Sequence, residues 1–143
     1  MRVKDIMTPN VKYINPELSL KEAAEQMKSL DIGALPVAEN DRLVGMITDR
    51  DITVRAVADG LNPTENKVRQ FMTEGIEYCR ESQPVEEAVE IMRDKKIRRL
   101  VVLNDKKRLV GFCSLGDIAV ETDSEMVKSE ALKDISLPAE PNW

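Results

Sequence analysis

The sequence reads Leu43-Val44-Gly45-Met46-Ile47-Thr48-Asp49-Arg50-Asp51-Ile52 at one point and Leu109-Val110-Gly111-Phe112-Cys113-Ser114-Leu115-Gly116-Asp117-Ile118 further along. Each copy begins with an apolar run of the length and composition typical of a buried strand. A hydroxyl residue and, three positions later, a carboxylate follow, which is the pattern of a helix capping box. Both copies therefore predict a strand that leads into the N-terminus of a helix.

The recurrence extends over most of the chain. At an offset of 65 residues, Val3-Lys4-Asp5-Ile6-Met7-Thr8 matches Val68-Arg69-Gln70-Phe71-Met72-Thr73, and Glu22-Ala23-Ala24-Glu25-Gln26-Met27 matches Glu87-Ala88-Val89-Glu90-Ile91-Met92. From Arg42-Leu43-Val44-Gly45 onward the offset is 66. The extra residue falls in the polar stretch 104–107, opposite 39–41, and polar turns are where insertions cost least. The chain is therefore an internal repeat, with a hairpin predicted at each of these stretches.

Within each copy the patterns predict the order β-α-β-β-α. The first copy has strand signals at 11–14, 34–38 and 43–47, and Asp51 to Asp59 reads as a helix that stops at Gly60. Its first helix is predicted by Ser19-Leu20-Lys21-Glu22, a capping box, and by apolar residues at helical spacing: Leu20, Ala23, Ala24, Met27 and Leu30.

The second copy repeats this order, with strands at 76–79, 100–103 and 109–113. A helix is predicted from Pro84 to Lys95, with Val85, Ala88, Val89 and Met92 facing inward. A last helix, capped within Thr122-Asp123-Ser124, would continue through Met126, Val127, Ala131, Leu132 and Ile135 and end before Pro138 and Pro141. We expect the tail from Leu137 to Trp143 to be loose.

The predicted fold class is α/β of the α+β type. Its parts are a first repeat at 1–60, a linker at 61–67, a second repeat at 68–120, and a C-terminal helix with its tail at 121–143. A three-stranded sheet with helices on one side leaves a face to bury, so we expect the two repeats to pack on each other across a pseudo-twofold axis.

Composition narrows the function classes. The chain of 143 residues is 42% hydrophobic and 33% charged, with a formal net charge of −5, which disfavours a nucleic-acid binder that needs a dense basic surface. It contains no histidine and two isolated cysteines, Cys79 and Cys113, so a metal site of the usual nitrogen and sulfur ligands is not expected. Free thiols and the lack of a long apolar run predict a cytoplasmic protein that does not enter a membrane.

The repeated hydroxyl and carboxylate allow two interpretations. Thr48 with Asp51, and Ser114 with Asp117, can simply cap the helices that follow them. Alternatively, a helix N-terminus favours an anion such as a phosphate, to which the hydroxyl can donate, while the carboxylate accepts hydrogen bonds from ribose hydroxyls. The two interpretations share residues, and the spacing alone does not decide between them.

Taken together, the motifs resemble those of a tandem pair of cystathionine-β-synthase (CBS) domains, a Bateman module. The resemblance lies in the Met-Thr start, the Ala-Ala or Ala-Val pair of the helix, the Leu-Pro-Val strand and the closing G-x-x-[ST]-x-x-D-I, over about 3–59 and 68–120. The chain is similar to small stand-alone CBS-pair proteins. The resemblance implies two clefts for adenosine compounds such as AMP, ADP, ATP, NAD or S-adenosylmethionine, which act as regulatory ligands rather than obligatory cofactors.

Carried over by motif, the resemblance assigns roles to eight residues. Thr48 and Ser114 would contact phosphate, Asp51 and Asp117 would hold ribose hydroxyls, Arg98 and Arg99 would reach phosphates, and Val11 and Ile76 would lie against adenine. The alternative for the two arginines is a solvated strand end. Because the first copy has Gly33-Ala34 in place of Arg98-Arg99, we expect the two clefts to differ in occupancy.

Three functional hypotheses follow. The first is an adenine-nucleotide-responsive regulatory module that signals to an unknown effector protein by a conformational change. The second is a ligand-independent dimerisation or interaction module that uses the same residues as caps. An enzyme is disfavoured because the chain has neither histidine nor the G-x-x-x-x-G-K-[ST] phosphate loop.

The oligomeric state is predicted from one helix. The helix predicted from Asp51 to Asp59 has more apolar residues than one helix face can bury internally: Ile52, Val54, Ala56, Val57 and Ala58. The resemblance also implies a dimer. We therefore expect a homodimer.

Overall fold

The computed structural model describes residues 1–122 and 125–136, the last three of them without their side chains. The chain divides into two compact units. The internal unit is Lys12–Ile76, and the terminal unit combines Met1–Val11 with the chain from Glu77 onward. Each unit contains a sheet and helices, so the predicted α+β class with two repeated units is confirmed.

The helices and strands largely alternate as predicted, with three additional short elements at 3–6, 8–9 and 68–70. In order they are α1 (Val3–Ile6), β1 (Thr8–Pro9), α2 (Leu20–Leu30), β2 (Ala34–Glu39), β3 (Arg42–Thr48), a π-helix (Asp51–Val57), a 3-10 helix (Val68–Gln70), β4 (Tyr78–Arg80), α3 (Val85–Lys95), β5 (Arg99–Leu103), β6 (Leu109–Ser114), α4 (Leu115–Glu121) and α5 (Glu125–Ser136). No helix among the described residues is both long enough and apolar enough to span a bilayer.

The internal unit is built on the antiparallel hairpin of β2 and β3. Its turn places Asn40 and Asp41 at φ 51° and 65°, the left-handed conformation that two-residue hairpin turns require. The predicted hairpin is confirmed. Helix α2 begins at the predicted capping box, in which Glu22 N donates to Ser19 Oγ (3.1 Å) and Ser19 N donates to Glu22 Oε2 (2.8 Å). The core of this unit is aliphatic and closes over one face of the hairpin; it includes Ile14, Leu20, Ala23, Met27, Leu35, Val37, Ile47 and Val68.

Two expectations for the first copy need correction. The strand predicted at 11–14 is only an isolated bridge from Ile14 to Val37, because Ile14 alone exchanges backbone hydrogen bonds with that hairpin strand. On α2, Ala24 and Leu30 are exposed, so the buried face is narrower than the spacing indicated.

The helix predicted from Asp51 to Asp59 is also different, since the structure has a π-helix that ends at Val57. Its wider turns show in the bond from Ala58 N to the Thr53 carbonyl (2.9 Å), five residues back. The inward residues are Ile52 and Ala56, and this spacing of four residues suits a single turn of an α-helix and of a π-helix alike. The sequence pattern therefore could not separate the two.

The terminal unit contains a four-stranded sheet in the order β1-β6-β5-β4. Strands β5 and β6 form an antiparallel hairpin, β4 joins β5 in parallel, and β1 pairs with β6. Helices α3, α4 and α5 complete its core, in which the predicted inward residues Val85, Ala88, Val89 and Met92 are all buried. The first strand of this copy lies at Tyr78–Arg80, slightly later than the predicted 76–79.

Helix α5 confirms the predicted C-terminal helix, with Val127 and Ala131 buried. Met126 and Leu132, which also lie in the predicted helix, are 50% and 67% exposed. The predicted cap at Asp123 and Ser124, the side chain of Ile135, and the tail with Pro138 and Pro141 lie outside the described residues.

Each Met-Thr segment packs against the glycine that opens the motif. A Cβ on Gly111 would lie 2.5 Å from Met7 Sδ, and a Cβ on Gly45 would lie 2.7 Å from the Thr73 carbonyl oxygen. Met7 opens the first copy but lies in the terminal unit, which holds most of the second copy. Thr73 belongs to the second copy but lies in the internal unit. The opening segment of each copy is therefore part of the unit built mainly from the other copy.

Candidate functional site

The end of β3 in the internal unit forms a closed capping box. Asp51 N donates to Thr48 Oγ1 (3.0 Å), and Thr48 N donates to Asp51 Oδ2 (3.0 Å). The Asp51 side chain is 17% exposed, and Arg55 Nη1 lies 4.0 Å from its other oxygen, Oδ1. The capping interpretation is therefore confirmed for this copy, and the Asp51 carboxylate already serves two partners.

The equivalent end of β6 in the terminal unit is more open. Asp117 N donates to Ser114 Oγ (3.1 Å), so Ser114 caps α4. Among the described residues, the Asp117 carboxylate has neither a hydrogen bond nor an ion pair, and the residue is exposed. The hydroxyl thus acts as a cap in both copies, but only the second leaves its carboxylate available for other donors.

Arg98 and Arg99 lie beside this second cap. Arg99 opens β5 and is the cross-strand partner of Ser114, while Leu115 N donates to the Arg98 carbonyl (2.8 Å). The hairpin register therefore brings the arginine pair and the Ser114–Asp117 cap of one repeat to the same sheet end. The sequence did not show whether the arginines lie near the carboxylate of their own repeat or of the other one. The strand register shows that their backbone lies beside the cap of their own repeat.

The internal unit has the same backbone arrangement with different side chains. Ala34 is the cross-strand partner of Thr48, and Asp49 N donates to the Gly33 carbonyl (2.9 Å). A Cβ built on Gly33 would lie 2.9 Å from Asp49 Oδ2. A carboxylate therefore occupies the space into which the side chain of Arg98 would begin to extend in the equivalent position.

Val11 and Ile76, expected near adenine, are both half-buried and close their respective stretches of chain. Val11 is the last residue of the opening segment of the terminal unit, which also holds Ser114 and Asp117. Ile76 is the last residue of the internal unit, which holds Thr48 and Asp51. Each residue thus shares a unit with the cap of the other sequence repeat, an assignment that the repeat alone did not indicate.

Arg55 is a residue near the site that the sequence reasoning missed. Its Nη1 donates to the Phe71 carbonyl (2.7 Å), and its guanidinium carbon lies 6.0 Å from the centre of the Phe71 ring. Its separation of four residues from Asp51 is the usual ion-pair spacing on a helix and was the available signal. Arg55 ties the π-helix to the segment that follows the linker.

Cys79 and Cys113 are free thiols in the core of the terminal unit, 1% and 0% exposed. A hydrogen bond with Cys79, together with burial, raises the pKa of Cys113 well above its ordinary range. The same hydrogen bond lowers the pKa of Cys79. The Cys113 thiol is therefore protonated at neutral pH, and the burial of both side chains is typical of structural cysteines. Across residues 1–122 and 125–136, no group of three or more His, Cys, Asp or Glu side chains is placed to hold a metal ion.

Comparison with known proteins assigns the family. The family model of the CBS domain matches twice, at residues 3–57 and 68–122. The chain belongs to the CBS-domain family. It is 38% identical over 134 residues to the CBS domain-containing protein YhcV of Bacillus subtilis, a match that covers 94% of each chain.

Two solved CBS structures share its fold. The crystal structure of Hypoxic Response Protein I, which has two coordinated zinc ions, superposes with a TM-score of 0.77 at 34% identity, covering 85% of this chain and 99% of that one. The Mycobacterium tuberculosis protein named Hypoxic response protein 1 is 36% identical over 117 residues, 81% of each chain. The crystal structure of CBSX2 in complex with AMP gives a TM-score of 0.68 at 27% identity, covering 92% of this chain and 96% of CBSX2.

Proposed function

We propose that this CBS pair is an adenine-nucleotide-binding regulatory module rather than an enzyme. In this proposal a nucleotide of the AMP, ADP, ATP, NAD or S-adenosylmethionine class binds reversibly, and the resulting change of conformation is passed to an effector protein. Membership of the CBS family and the AMP complex of CBSX2 support the ligand class. The nucleotide would be a regulatory ligand, with no obligatory cofactor.

The observation that carries the proposal is the sheet end of the terminal unit. There Arg98 and Arg99 stand next to Ser114, and the Asp117 carboxylate has no hydrogen-bond or ion-pair partner in the part of the chain that the structure describes. Arginine is well suited to phosphate because its planar guanidinium donates two parallel hydrogen bonds. An ionised carboxylate accepts from both hydroxyls of a ribose. One sheet end thus offers complementary groups for the phosphate and the sugar of one nucleotide.

Isothermal titration of AMP, ADP, ATP, NAD and S-adenosylmethionine into the purified protein tests the proposal. We expect saturable binding of at least one of them, and a loss of about tenfold or more in affinity on Asp117→Asn, because hydrogen bonds to charged groups are worth about 1.5–3 kcal/mol. Asp51→Asn is the matched control, since its carboxylate is already engaged in the cap. Absence of binding at millimolar ligand would refute the proposal.

A second candidate is a ligand-independent interaction module. It is favoured by the closed Thr48–Asp51 capping box, which shows that the motif has a structural use without any ligand. In that case Asp51→Asn would alter thermal stability through the cap, and neither Asp→Asn substitution would alter a response to nucleotide. The same set of titrations, combined with melting curves, therefore separates the two functions.

We also propose that the protein forms a homodimer through the outer face of the π-helix. Val54 and Val57 are 47% and 56% exposed there, whereas Ile52 and Ala56 are buried within the internal unit. Exposed apolar side chains grouped on one helix are typical of an association surface. Sedimentation at micromolar concentration should give a dimer for the wild type and a monomer for Val54→Ser/Val57→Ser. A monomeric wild type would contradict this.

A further inference from the structure

The two sheet ends carry opposite charge. At equivalent positions, the internal unit has Gly33, Ala34, Asp49, Arg50 and Asp51, and the terminal unit has Arg98, Arg99, Leu115, Gly116 and Asp117. The first set holds two aspartates and one arginine, whereas the second holds two arginines and one aspartate. A ligand that carries phosphate meets a net negative set in one unit and a net positive set in the other.

Asp49 is the residue that most distinguishes the internal end. Its Oδ1 accepts a hydrogen bond from Arg50 N (2.7 Å), and its Oδ2 lies where a Cβ on Gly33 would be only 2.9 Å away. The carboxylate is thus folded back over Gly33, beside the hydroxyl residue Thr48. Leu115, its equivalent in the other unit, carries no charge.

The other charged groups at this end do not reverse the effect of Asp49. Arg55 lies 4.0 Å from the Asp51 carboxylate and donates to the Phe71 carbonyl. Its positive charge therefore offsets that of Asp51 rather than that of Asp49. Arg50 is exposed and offsets one of the two aspartates. Where Arg98 would supply a guanidinium, this end supplies a carboxylate.

We propose that Asp49 is a specificity-determining residue that excludes phosphate from the sheet end of the internal unit, so that the phosphate of a nucleotide binds only at the terminal unit. The proposal rests on the nucleotide-binding function proposed above and names the site and the discriminating residue. At a solvent-exposed position, one unit charge a few ångströms from a phosphate changes affinity by about tenfold.

Calorimetric titration of ATP tests it in two backgrounds. The wild type should bind one ATP per chain, and Asp49→Asn, which keeps the side-chain shape, should strengthen a weak second site by about tenfold. In the Arg98→Gly/Asp117→Asn background, which removes the terminal site, ATP affinity should fall by at least tenfold. Adding Gly33→Arg/Asp49→Leu, the residues of the terminal unit, should restore one strong site.

Adenosine is the control ligand because it has the base and sugar without the phosphate. Asp49→Asn should change its affinity less than twofold, so an equal gain for adenosine and ATP would overturn the explanation by phosphate. Melting curves show whether each variant is folded, and Gly33→Arg is compatible with the backbone since Gly33 does not adopt a left-handed φ.

Two results would overturn the inference while leaving the proposed function intact. They are a wild type that binds two ATP per chain with equal affinity, and a Gly33→Arg/Asp49→Leu variant that gains no site in either background. A wild type that binds no nucleotide would instead refute the proposed function. The role of Asp49 would then stand only if that same variant gains an ATP site, and would fail otherwise.

Discussion

At the scale of single residues, the glycine of each motif is required by the chain that passes over it. A Cβ on Gly45 would meet the Thr73 carbonyl oxygen at 2.7 Å, whereas a Cβ on Gly111 would first meet the flexible side chain of Met7. We expect Gly45→Ala to cost about 2–3 kcal/mol of stability and Gly111→Ala about 1–2 kcal/mol, since overpacking is less costly where a side chain can move.

Gly116 provides the control for these two substitutions. It lies inside α4, and the nearest atom to an added Cβ is Ser114 Oγ at 4.0 Å. Alanine there should stabilise by about 0.5–1 kcal/mol because it is the better helix former. Urea unfolding of the three variants measures this order, and a Gly116→Ala variant that is the least stable of the three would contradict it.

The two aspartates of the motif should also separate at this scale. Asp51 accepts from Thr48 N and lies near Arg55, so Asp51→Asn is expected to lower stability by about 1 kcal/mol. Asp117→Asn should change stability by less than about 0.5 kcal/mol, as is usual for exposed groups without partners. Thermal melts without ligand measure both effects. Equal losses would show that the two carboxylates have the same structural role.

At the scale of helices and strands, an exposed ion-pair group joins the 3-10 helix to the turn before α2. Arg69 contacts Glu17 (2.7 Å) and Glu39 (2.6 Å), and Lys67 contacts Glu17 (2.9 Å). Hydrogen bonds from Lys67 and then Arg69 hold the pKa of Glu17 below its ordinary value. Because the folded pKa is the lower one, the stabilisation is present above the unfolded pKa and is lost as the pH falls through the folded pKa.

We therefore expect amide exchange in 67–70 to become faster, relative to the rest of the internal unit, as the pH is lowered below about 4.5. Glu17→Gln should loosen this segment at pH 7 and remove part of its acid dependence. Glu65→Gln is the control, because Glu65 makes no ion pair among the described residues. An acid dependence that Glu17→Gln leaves unchanged would assign it to other groups.

Local patterns predicted most of these elements because the deciding interactions are short in sequence. Ser19 and Glu22 cap α2 from three residues apart, and the turn at Asn40 and Asp41 is fixed by residues that tolerate positive φ. The predicted strand at 11–14 failed for the opposite reason. A strand there would have to form backbone hydrogen bonds with β2, which lies more than 20 residues further along the chain, and only Ile14 pairs with it.

The candidate site shows the same division. The hydroxyl and carboxylate of each motif were found from spacing, since a cap is a local structure. Asp49 was not singled out, because its significance comes from lying against Gly33 across a hairpin. In the sequence this contrast appears only as two mismatches between the copies, Gly33 against Arg98 and Asp49 against Leu115.

At the scale of the whole molecule, sequence repetition does not define the compact units. Val3 and Val68 occupy the same position of the two copies, and both are fully buried. Val3 packs with Val85 in the core of the terminal unit, whereas Val68 packs with Leu20 in the core of the internal unit. An alignment of the repeats, which places Val3 with the first copy, would assign each residue to the opposite unit.

This exchange gives a paired test. Truncating a fully buried valine to alanine should cost about 2 kcal/mol. Val3→Ala should speed hydrogen exchange mainly in β5 and β6, and Val68→Ala mainly in β2 and β3, with each effect concentrated in the unit whose core is altered. Val120→Ala is the control, since Val120 is 82% exposed and should affect neither region. Mass spectrometry of peptides after exchange measures both regions in one experiment. If Val3→Ala instead loosened β2 and β3, the opening segment would belong to its own sequence repeat, and the division into internal and terminal units would be wrong.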